Sequence, residues 1–258
     1  MTKDLNRLDG RVAIVTGGGS GIGKAIAEAF AAAGAHVVVT GRTLNTIASV
    51  ANSIGGTAVV CDVTKLDDVE AMFARAVRIT GKIDVLVNNA GETGPIGNIC
   101  DVDLVAWRGC VETNLFGTVN CLRVGSRIMA AQGSGSIINM SSLMGLKGYP
   151  MRSAYCATKF AVIGLTEAVA REVGPSGVRV NALCPGAVSG ELMDRVVARR
   201  AVAEGRDPAD IIKQNYTDVA ALRRWVSPEE VAAVALFLAS DAASSLTGER
   251  IKTDAGRF

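Results

Sequence analysis

The chain has 258 residues, of which 49% are hydrophobic and 20% charged, and this balance excludes an intrinsically disordered chain. Lysine and arginine number 27 against 25 acidic residues, so the formal net charge of +2 gives no indication of a nucleic-acid or membrane-surface partner. There is a single histidine, His36, which excludes metal sites built on two or three histidines. We therefore predict no metal site.

Short β-branched runs alternate along the chain with alanine-rich stretches of helical periodicity. The runs predict strands at residues 12–16, 36–40, 57–61, 85–88, 136–140, 179–183 and 250–252. The stretches predict helices at residues 22–33, 44–53, 67–80, 102–131, 154–173 and 228–239. Because the strands are almost continuously apolar, they are typical of a parallel sheet covered on both faces and joined by βαβ crossovers. With no repeat and no low-complexity linker, we predict one α/β domain over residues 1–258.

Several helix ends are predicted by specific residues. Ser227 to Glu230 form a capping box with a proline at the first helical position, Gly34 suits a left-handed cap, and Gly174 with Pro175 ends a helix. Residues 190–216 fit no strand and predict one or two short amphipathic helices. An insertion that follows the carboxyl end of a strand is well located to cover a substrate.

The six cysteines contain no CxxC pair, and most of them lie in apolar stretches. A chain of this length builds a core without a disulfide framework, so we expect reduced and mostly buried thiols. The first residues contain no apolar run like that of a secretory signal, and the run at 231–239 is too short to span a bilayer. We expect a soluble, cytoplasmic protein.

The first strand, turn and helix contain the spacing Gly17-x-x-x-Gly21-x-Gly23. Small residues let the backbone approach a pyrophosphate, and the free N–H groups at a helix start stabilise its charge. A glycine turn that only packs against the sheet is the alternative. The position at the first strand–turn–helix unit favours a dinucleotide site.

The end of the second strand distinguishes the two nicotinamide cofactors, because a carboxylate there binds the ribose of NAD and an arginine accommodates the 2′-phosphate of NADP. Here the strand is followed by Gly41 and Arg42, with no carboxylate. We therefore favour NADP(H), with NAD(H) as the alternative if Arg42 is only a solvated loop residue. Asp62, at the end of the third strand, is a candidate partner for the adenine amino group.

Tyr155 and Lys159 lie one helical turn apart, about 6 Å along the axis, and share a helix face. An ammonium near a phenol favours the phenolate, so the pair predicts a lowered tyrosine pKa and a usable general acid or base. An isolated pair at this spacing is more often an exposed helix face. Ser142, thirteen residues before Tyr155 at the end of a strand, favours the catalytic interpretation.

Taken together, these motifs resemble those of the short-chain dehydrogenase/reductase family, in its compact single-domain branch. The match covers nearly the whole chain, and its residues are Thr16 to Gly23, Asn88-Asn89-Ala90-Gly91, Asn114, Ser142, Tyr155-x-x-x-Lys159 and Pro185-Gly186. The resemblance implies a Rossmann-like doubly wound fold, with a seven-stranded parallel sheet and helices on both faces. It also implies hydride exchange between a nicotinamide dinucleotide and a carbonyl or alcohol carbon.

The resemblance also implies a role for each matching residue. Tyr155 donates or removes the hydroxyl proton, Ser142 bonds the substrate oxygen, and Lys159 lowers the tyrosine pKa and binds the nicotinamide ribose. Asn114 holds a water that links Lys159 to solvent. The residues expected to bind the cofactor are Gly17, Ser20, Gly21, Ile22, Gly23, Arg42, Asp62, Val63, Asn89, Ala90, Gly91, Tyr155, Lys159, Pro185, Gly186 and Val188.

The chain departs from the family at one position, because Gly190 stands where relatives often carry a threonine that bonds the nicotinamide carboxamide. Either Ser189 replaces that threonine or the contact is missing. The long helices around Asn114 and at residues 154–173 pair between subunits in relatives, so the resemblance implies a dimer or tetramer.

The alternatives to a dehydrogenase are a non-catalytic dinucleotide sensor and a lyase or epimerase on the same fold. The presence of both Tyr155 and Lys159 disfavours the sensor, and the short C-terminal region disfavours a sugar-nucleotide enzyme. We expect the substrate to be a small carbonyl or alcohol compound, which the sequence does not identify further. Four arginines are candidates for an anionic substrate group, although solvation or a subunit contact is the favoured interpretation of Arg152, Arg195, Arg199 and Arg200.

Overall fold

The computed structural model describes residues 5–257, and the domain bounds predicted from the sequence, 1–258, extend beyond this range at both ends. The strands are β1 (Val12–Thr16), β2 (His36–Gly41), β3 (Thr57–Val60), β4 (Val85–Asn88), β5 (Gly135–Met140), β6 (Val178–Pro185) and β7 (Arg250–Thr253). The α-helices are α1 (Gly21–Ala32), α2 (Leu44–Ser53), α3 (Leu66–Thr80), α4 (Leu104–Val111), α5 (Gly117–Gln132), α6 (Ser153–Val173), α7 (Glu191–Glu204), α8 (Pro208–Ile212) and α9 (Pro228–Ala239). Each predicted strand is present, with both ends within two residues of the predicted ones.

The seven strands form one parallel sheet in the order β3-β2-β1-β4-β5-β6-β7. The strand order reverses at β1, which pairs with β2 on one side and with β4 on the other. This confirms the doubly wound sheet predicted from the sequence. In such folds ligands bind where the order reverses, outside the carboxyl ends of the strands.

A hydrophobic layer covers each face of the sheet. In β1, Ala13 and Val15 belong to the layer formed with α1, α2 and α9, whereas Val12 and Ile14 belong to the layer formed with α3, α5 and α6. All four side chains are fully buried, which explains why the strand is continuously apolar. None of the helices formed by residues 5–257 is long and apolar enough to cross a membrane.

The predicted helix ends are confirmed at three places. At the start of α9 the Ser227 hydroxyl accepts a hydrogen bond from the Glu230 amide, and the Glu230 carboxylate accepts one from the Ser227 amide. Gly34, after α1, has a φ of +99°, in the region that favours glycine. Helix α6 ends at Val173, and Gly174 begins a turn of 3-10 helix.

The single long helix predicted at residues 102–131 is wrong. Asp103 caps the short helix α4 by accepting a hydrogen bond from the Val105 amide at 2.8 Å. A π-helical turn at Glu112–Phe116 then separates α4 from α5. Apolar periodicity does not distinguish the i→i+5 bonds of a π turn from ordinary helical bonds, so the sequence pattern runs across the break.

The predicted insertion at residues 190–216 consists of α7, α8 and most of a second π-helical turn. Its buried side chains, among them Val197 and Tyr216, form a small core apart from the two sheet layers. Arg257 connects this insertion to the turn that follows β5. Its guanidinium carbon lies 5.2 Å from the ring centroid of Tyr216 and 5.4 Å from that of Tyr149.

Candidate active site

The glycine-rich loop connects β1 to α1 at the point where the strand order reverses. Gly17 and Gly21 have φ values of +64° and +51°, which side-chain-bearing residues rarely adopt. A Cβ at Gly23 would overlap the carbonyl oxygen of Gly17. Ser20 precedes α1 in an extended conformation without a side-chain cap, and the first turn of the helix carries no acidic residue. The backbone N–H groups at the start of α1 are thus available to bind an anion. Ile22, in the same turn, packs against the hydrophobic layer on this face of the sheet.

A set of hydrogen bonds fixes this loop to the end of β4. The Thr16 hydroxyl accepts from the amides of Asn89 and Ala90 at 2.9 and 3.0 Å and donates to the Val87 carbonyl at 3.1 Å. The Asn89 amide group donates to the carbonyls of Thr16 and Gly17 at 2.9 and 3.1 Å. Asn89 therefore holds the glycine-rich loop against the end of β4.

A cavity of about 130 Å³ lies at the carboxyl ends of the first four strands. Its lining residues are Thr16, Gly17, Thr40, Gly41, Arg42, Cys61, Asp62, Val63, Ala90, Gly91 and Thr113. The structure thus brings together six of the residues predicted to bind the cofactor. The buried Thr40 hydroxyl has no hydrogen-bond partner among the described residues, so this wall of the cavity has a polar atom available to a ligand.

The two predicted cofactor-recognition side chains differ in their surroundings. Asp62 accepts hydrogen bonds from the amide and hydroxyl of Thr64 at 3.1 and 2.8 Å. Burial pushes the pKa of Asp62 upward, but the Thr64 hydrogen bonds and the charges of Arg42 and Lys65 hold it below its usual value. Arg42 is exposed at the cavity edge, where its guanidinium is accessible to a bound molecule.

The predicted catalytic residues meet beyond the end of β5. Tyr155 is half-buried near the start of α6 and adjoins Ser142, which caps the 3-10 turn after β5. The Lys159 ammonium is buried and lies 5.4 Å from the Tyr155 ring centroid. It donates a hydrogen bond to the carbonyl of Met140, the last residue of β5, at 2.7 Å. One serine, one tyrosine and one lysine therefore share a site at the sheet's carboxyl edge.

The predicted lowering of the Tyr155 pKa by Lys159 is wrong as a net shift in this structure. Burial raises the pKa of Tyr155 above its ordinary value, outweighing the opposing effects of the Arg152 charge and the Ser142 hydrogen bond. Burial also lowers the pKa of Lys159 to about 8, so this ammonium is a weaker source of positive charge than the sequence suggested. Spacing on a helix gives the proximity of two groups but not their desolvation.

Asn114 is buried within the π-helical turn, where it braces the loop after β4. Its side-chain oxygen accepts from the Glu92 amide at 2.7 Å, and its amide group donates to the Glu92 carbonyl at 2.9 Å. The amide nitrogen also lies 3.3 Å from the Thr158 hydroxyl, one residue before Lys159. The side chain thus links the helix-break to the catalytic helix, a role the sequence did not reveal.

The remaining predicted cofactor residues follow β6. Gly186 donates its amide to the Thr253 carbonyl at 2.9 Å, and a Cβ there would lie 2.9 Å from the Asp254 Cα atom. Val188 forms an isolated bridge with Val226. Gly190 has a φ of +129°, a backbone conformation in which a threonine would be strained.

The sequence did not predict that Arg152 is buried beside Tyr155. Arg152 is only 8% exposed, so the favoured interpretation of a solvated side chain is wrong. Its guanidinium carbon lies 5.1 Å from the Tyr155 ring centroid. Its position three residues before Tyr155 was visible in the sequence, but its burial was not. Arg195 and Arg199 are exposed, and Arg200 pairs with Glu204.

Comparison with known proteins gives the same fold and class. A family model described as enoyl-(acyl carrier protein) reductase matches residues 17–257. A 3β-hydroxysteroid dehydrogenase of Mediterraneibacter gnavus is 35% identical, with 98% of this chain and 96% of the relative covered. A short chain dehydrogenase/reductase of Aspergillus oryzae is 37% identical (96% and 95% covered), and an NAD-dependent glycerol dehydrogenase of Listeria innocua is 36% identical (98% and 96%).

Solved structures agree over the whole chain. A levodione reductase superimposes with a TM-score of 0.92 at 30% identity, covering 97% of this chain and 98% of its own. An NAD⁺-bound xylitol dehydrogenase gives 0.91 at 31%, with 96% and 99% covered. The fold and the site thus define a nicotinamide-dependent oxidoreductase that acts on alcohols or carbonyl compounds. The chain belongs to the short-chain dehydrogenase/reductase family.

Proposed function

We propose that Tyr155 is the general acid/base of this dehydrogenase and that its substrate is a small carbonyl compound or secondary alcohol. The observation that carries the proposal is that Ser142 and Tyr155 adjoin each other beside the buried ammonium of Lys159. Two hydroxyl groups that meet in this way can hold one substrate oxygen between them. Nothing in the described residues favours the sensor or the lyase alternative.

In this mechanism each of the four residues has a defined role. Ser142 hydrogen-bonds the substrate oxygen and stabilises the charge that develops there. Tyr155 moves its proton to that oxygen during carbonyl reduction and removes it during alcohol oxidation. Lys159 would hold the nicotinamide ribose and return a proton to Tyr155, and Asn114 would order a water that connects Lys159 to solvent. The nicotinamide dinucleotide, when bound, supplies or accepts the hydride.

Replacement of Tyr155 by phenylalanine tests this proposal. Tyr155→Phe removes only the hydroxyl, so turnover is expected to fall about 10²- to 10⁴-fold, the usual contribution of a general acid or base. The assay is oxidation of NADPH or NADH with a carbonyl panel that includes levodione and a 3-oxosteroid. Tyr149→Phe, the same change in the nearby turn, is the matched control. Full turnover by Tyr155→Phe would contradict the assignment.

We propose NADP(H) as the cofactor, bound along the glycine-rich loop and the cavity at the ends of β1 to β4. The glycine cradle at Gly17 and Gly23 and the uncapped start of α1 suit a pyrophosphate. The wall at the end of β2 has Gly41 where an NAD-binding carboxylate would stand, and Arg42 beside it. Asp62, Val63, Ala90 and Gly91 would contact the adenosine half, and Pro185, Gly186 and Val188 the nicotinamide half.

The cofactor preference is tested by binding affinity. Arg42→Ala is expected to weaken NADPH binding about 10- to 100-fold, the equivalent of one charge-assisted hydrogen bond, and to leave NADH binding unchanged. Arg75→Ala is the control, because it also removes an exposed arginine, in this case from α3. NAD(H) is the second candidate, because the glycerol dehydrogenase relative is NAD-dependent and the xylitol dehydrogenase is NAD⁺-bound. Equal weakening of both cofactors by Arg42→Ala would remove the argument for a 2′-phosphate contact.

We propose that residues 190–216 cover the substrate within a single domain. The insertion leaves the sheet directly after the residues expected to contact nicotinamide, and its own small core keeps α7 and α8 together. Ser189 is exposed, and its hydroxyl, which donates to the Val226 carbonyl at 3.4 Å, is the candidate replacement for the threonine absent at Gly190. Ser189→Ala should weaken binding of the reduced cofactor if this contact exists.

We propose a homodimer or homotetramer assembled through α4, the first π turn, α5 and α6. Exposed large apolar side chains occur there at Leu104, Val105, Phe116 and Phe160. Val105→Glu with Phe160→Glu is expected to lower the mass measured by sedimentation equilibrium. Val202→Glu, at an exposed valine of α7, is the matched control. An unchanged mass in the double variant would contradict this surface.

A cytoplasmic location is also a proposal, supported by cysteine chemistry. All six cysteines are free thiols, and five of them are buried, with Cys100 exposed. Burial raises the pKa of the Cys61 thiol to about 11, which keeps it protonated and unreactive. Cell fractionation followed by immunodetection is the direct measurement.

A further inference from the structure

Arg152 is a buried cation next to the proposed catalytic tyrosine. It precedes α6, is 8% exposed, and its guanidinium carbon lies 5.1 Å from the Tyr155 ring centroid. One terminal nitrogen donates to the Thr93 carbonyl at 3.1 Å. The buried Nε atom has no hydrogen-bond partner among residues 5–257. The guanidinium thus has spare hydrogen-bonding capacity inside the active-site region.

A buried guanidinium requires compensation for its lost hydration. No carboxylate in the described range 5–257 forms an ion pair with Arg152. Its contacts are one backbone carbonyl and the face of an aromatic ring, which is a favourable but weak cation partner. Among the described residues, this site therefore carries a positive charge without an ion-pair partner, and the phenol of Tyr155 lies next to it.

Lys159 is the second cation beside this ring. Its ammonium lies slightly farther from the ring, at 5.4 Å, and is already engaged by the Met140 carbonyl. Burial lowers the pKa of Lys159 to about 8, so deprotonation begins close to working pH. A guanidinium, in contrast, stays charged throughout the pH range in which enzymes work.

We propose that Arg152 is a positioning residue that stabilises the phenolate of Tyr155. The proposal deepens the proposed function and rests on it. In carbonyl reduction the O–H bond of Tyr155 breaks, its proton passes to the substrate oxygen, and Arg152 acts together with Lys159 to stabilise the negative charge left on the phenol. In alcohol oxidation the proton returns from the substrate hydroxyl to Tyr155 by the reverse path.

The groups that face Tyr155 come from several elements. They are Arg152, Cys156 and Lys159 in or next to α6, Ser142 after β5, and Cys110 on α4. Burial raises the pKa of Tyr155, and of these groups the Arg152 charge acts most strongly in the opposite direction, followed by the Ser142 hydrogen bond. The two thiols act to raise it. Loss of Arg152 should therefore move the titration of Tyr155 to higher pH.

Two substitutions separate charge from packing. Arg152→Gln removes the charge and keeps a donor for the Thr93 carbonyl, whereas Arg152→Lys keeps the charge. Ultraviolet difference titration of each variant, with the same variant carrying Tyr155→Phe subtracted, isolates the Tyr155 phenol from Tyr149 and Tyr216. This measurement needs no substrate. Circular dichroism checks that each variant is folded.

The expected result is a Tyr155 titration at higher pH in Arg152→Gln and a near-wild-type titration in Arg152→Lys. The limb of the kcat profile assigned to Tyr155 should move in the same direction, with kcat at neutral pH about tenfold lower or less, the effect typical of one nearby charge. Cofactor affinity should not change.

Three outcomes would overturn the proposal. A fall in kcat with no movement of the profile would make Arg152 a purely structural residue. A rise in KM confined to anionic substrates, again with an unmoved profile, would make it a substrate-binding residue. An unmoved phenol titration in a folded Arg152→Gln variant would exclude the coupling directly. Full turnover by Tyr155→Phe would instead refute the proposed function, and the titration would still decide whether Arg152 acts on this phenol.

Discussion

Replacement of Lys159 by methionine should make the protein more stable while it removes activity. The Lys159 ammonium is 6% exposed, and burial lowers its pKa from 10.5 to about 8. At neutral pH this corresponds to about 3 kcal/mol of folding free energy lost to the buried charge. Methionine has a similar length and carries no charge. It removes the hydrogen bond to the Met140 carbonyl, which costs about 1–2 kcal/mol.

The net expectation is that Lys159→Met unfolds with a free energy about 1–2 kcal/mol above that of the wild type at pH 7. The difference has a defined pH dependence. Between pH 8 and 10.5 the unfolded chain binds more protons at this lysine than the native protein does. The stability of the wild type relative to the variant therefore rises with pH across this interval, and the gain from the substitution disappears.

Urea unfolding followed by the fluorescence of Trp107 and Trp225, at fixed protein concentration without cofactor, measures both effects. Lys147→Met removes an exposed lysine in the turn after β5 and serves as the control, because it deletes a charge without relieving burial. A variant less stable than the wild type at pH 7 would refute the reasoning. A stability difference that stays constant from pH 7 to 10 would do so as well.

Two further substitutions concern the glycine-rich loop. Gly23→Ala places a methyl group against the Gly17 carbonyl and the Asn89 amide, so we expect a loss of about 1–3 kcal/mol by urea unfolding and weaker cofactor binding by fluorescence titration. Gly164→Ala, at an open position in α6, should be neutral or stabilising. Thr16→Val leaves two backbone amides without their acceptor and should cost about 2–3 kcal/mol, whereas Thr16→Ser should cost less than half as much. Equal losses in the valine and serine variants would mean that the methyl group, not the hydroxyl, holds the loop.

The fold was predictable because its signals are local. The strand-to-helix turn at Gly17 to Gly23 needs conformations and contacts that glycine alone permits, so sequence and structure are tied residue by residue. The capping box at Ser227 is likewise read directly from four consecutive residues. The break at Glu112–Phe116 was not predictable, since a π turn changes hydrogen bonding without changing the apolar pattern.

The candidate site was predictable in its members but not in its electrostatics. Helical spacing gives the proximity of Tyr155 and Lys159, yet the sign of the Tyr155 pKa shift depends on burial by other elements. The same is true of Arg152, whose side chain reads as a surface cation in the sequence and is buried in the structure. Asn114 was found through the motif, but its bonds to Glu92 depend on a loop that the motif does not include.

The stacking of Arg257 between Tyr149 and Tyr216 has a consequence for how the active site admits its substrate. One guanidinium touches both the turn beside the catalytic helix and the far end of the insertion, so these two parts cannot separate without giving up a ring contact. If residues 190–216 cover the substrate as proposed, an opening motion that preserves these ring contacts would pivot at the end of the insertion next to β6. Gly190 stands there with a backbone angle that other residues resist, and it has open space where a side chain would be. The substrate would then enter from the α7 side, while the end of the insertion at Tyr216 stays fixed by its contact with Arg257.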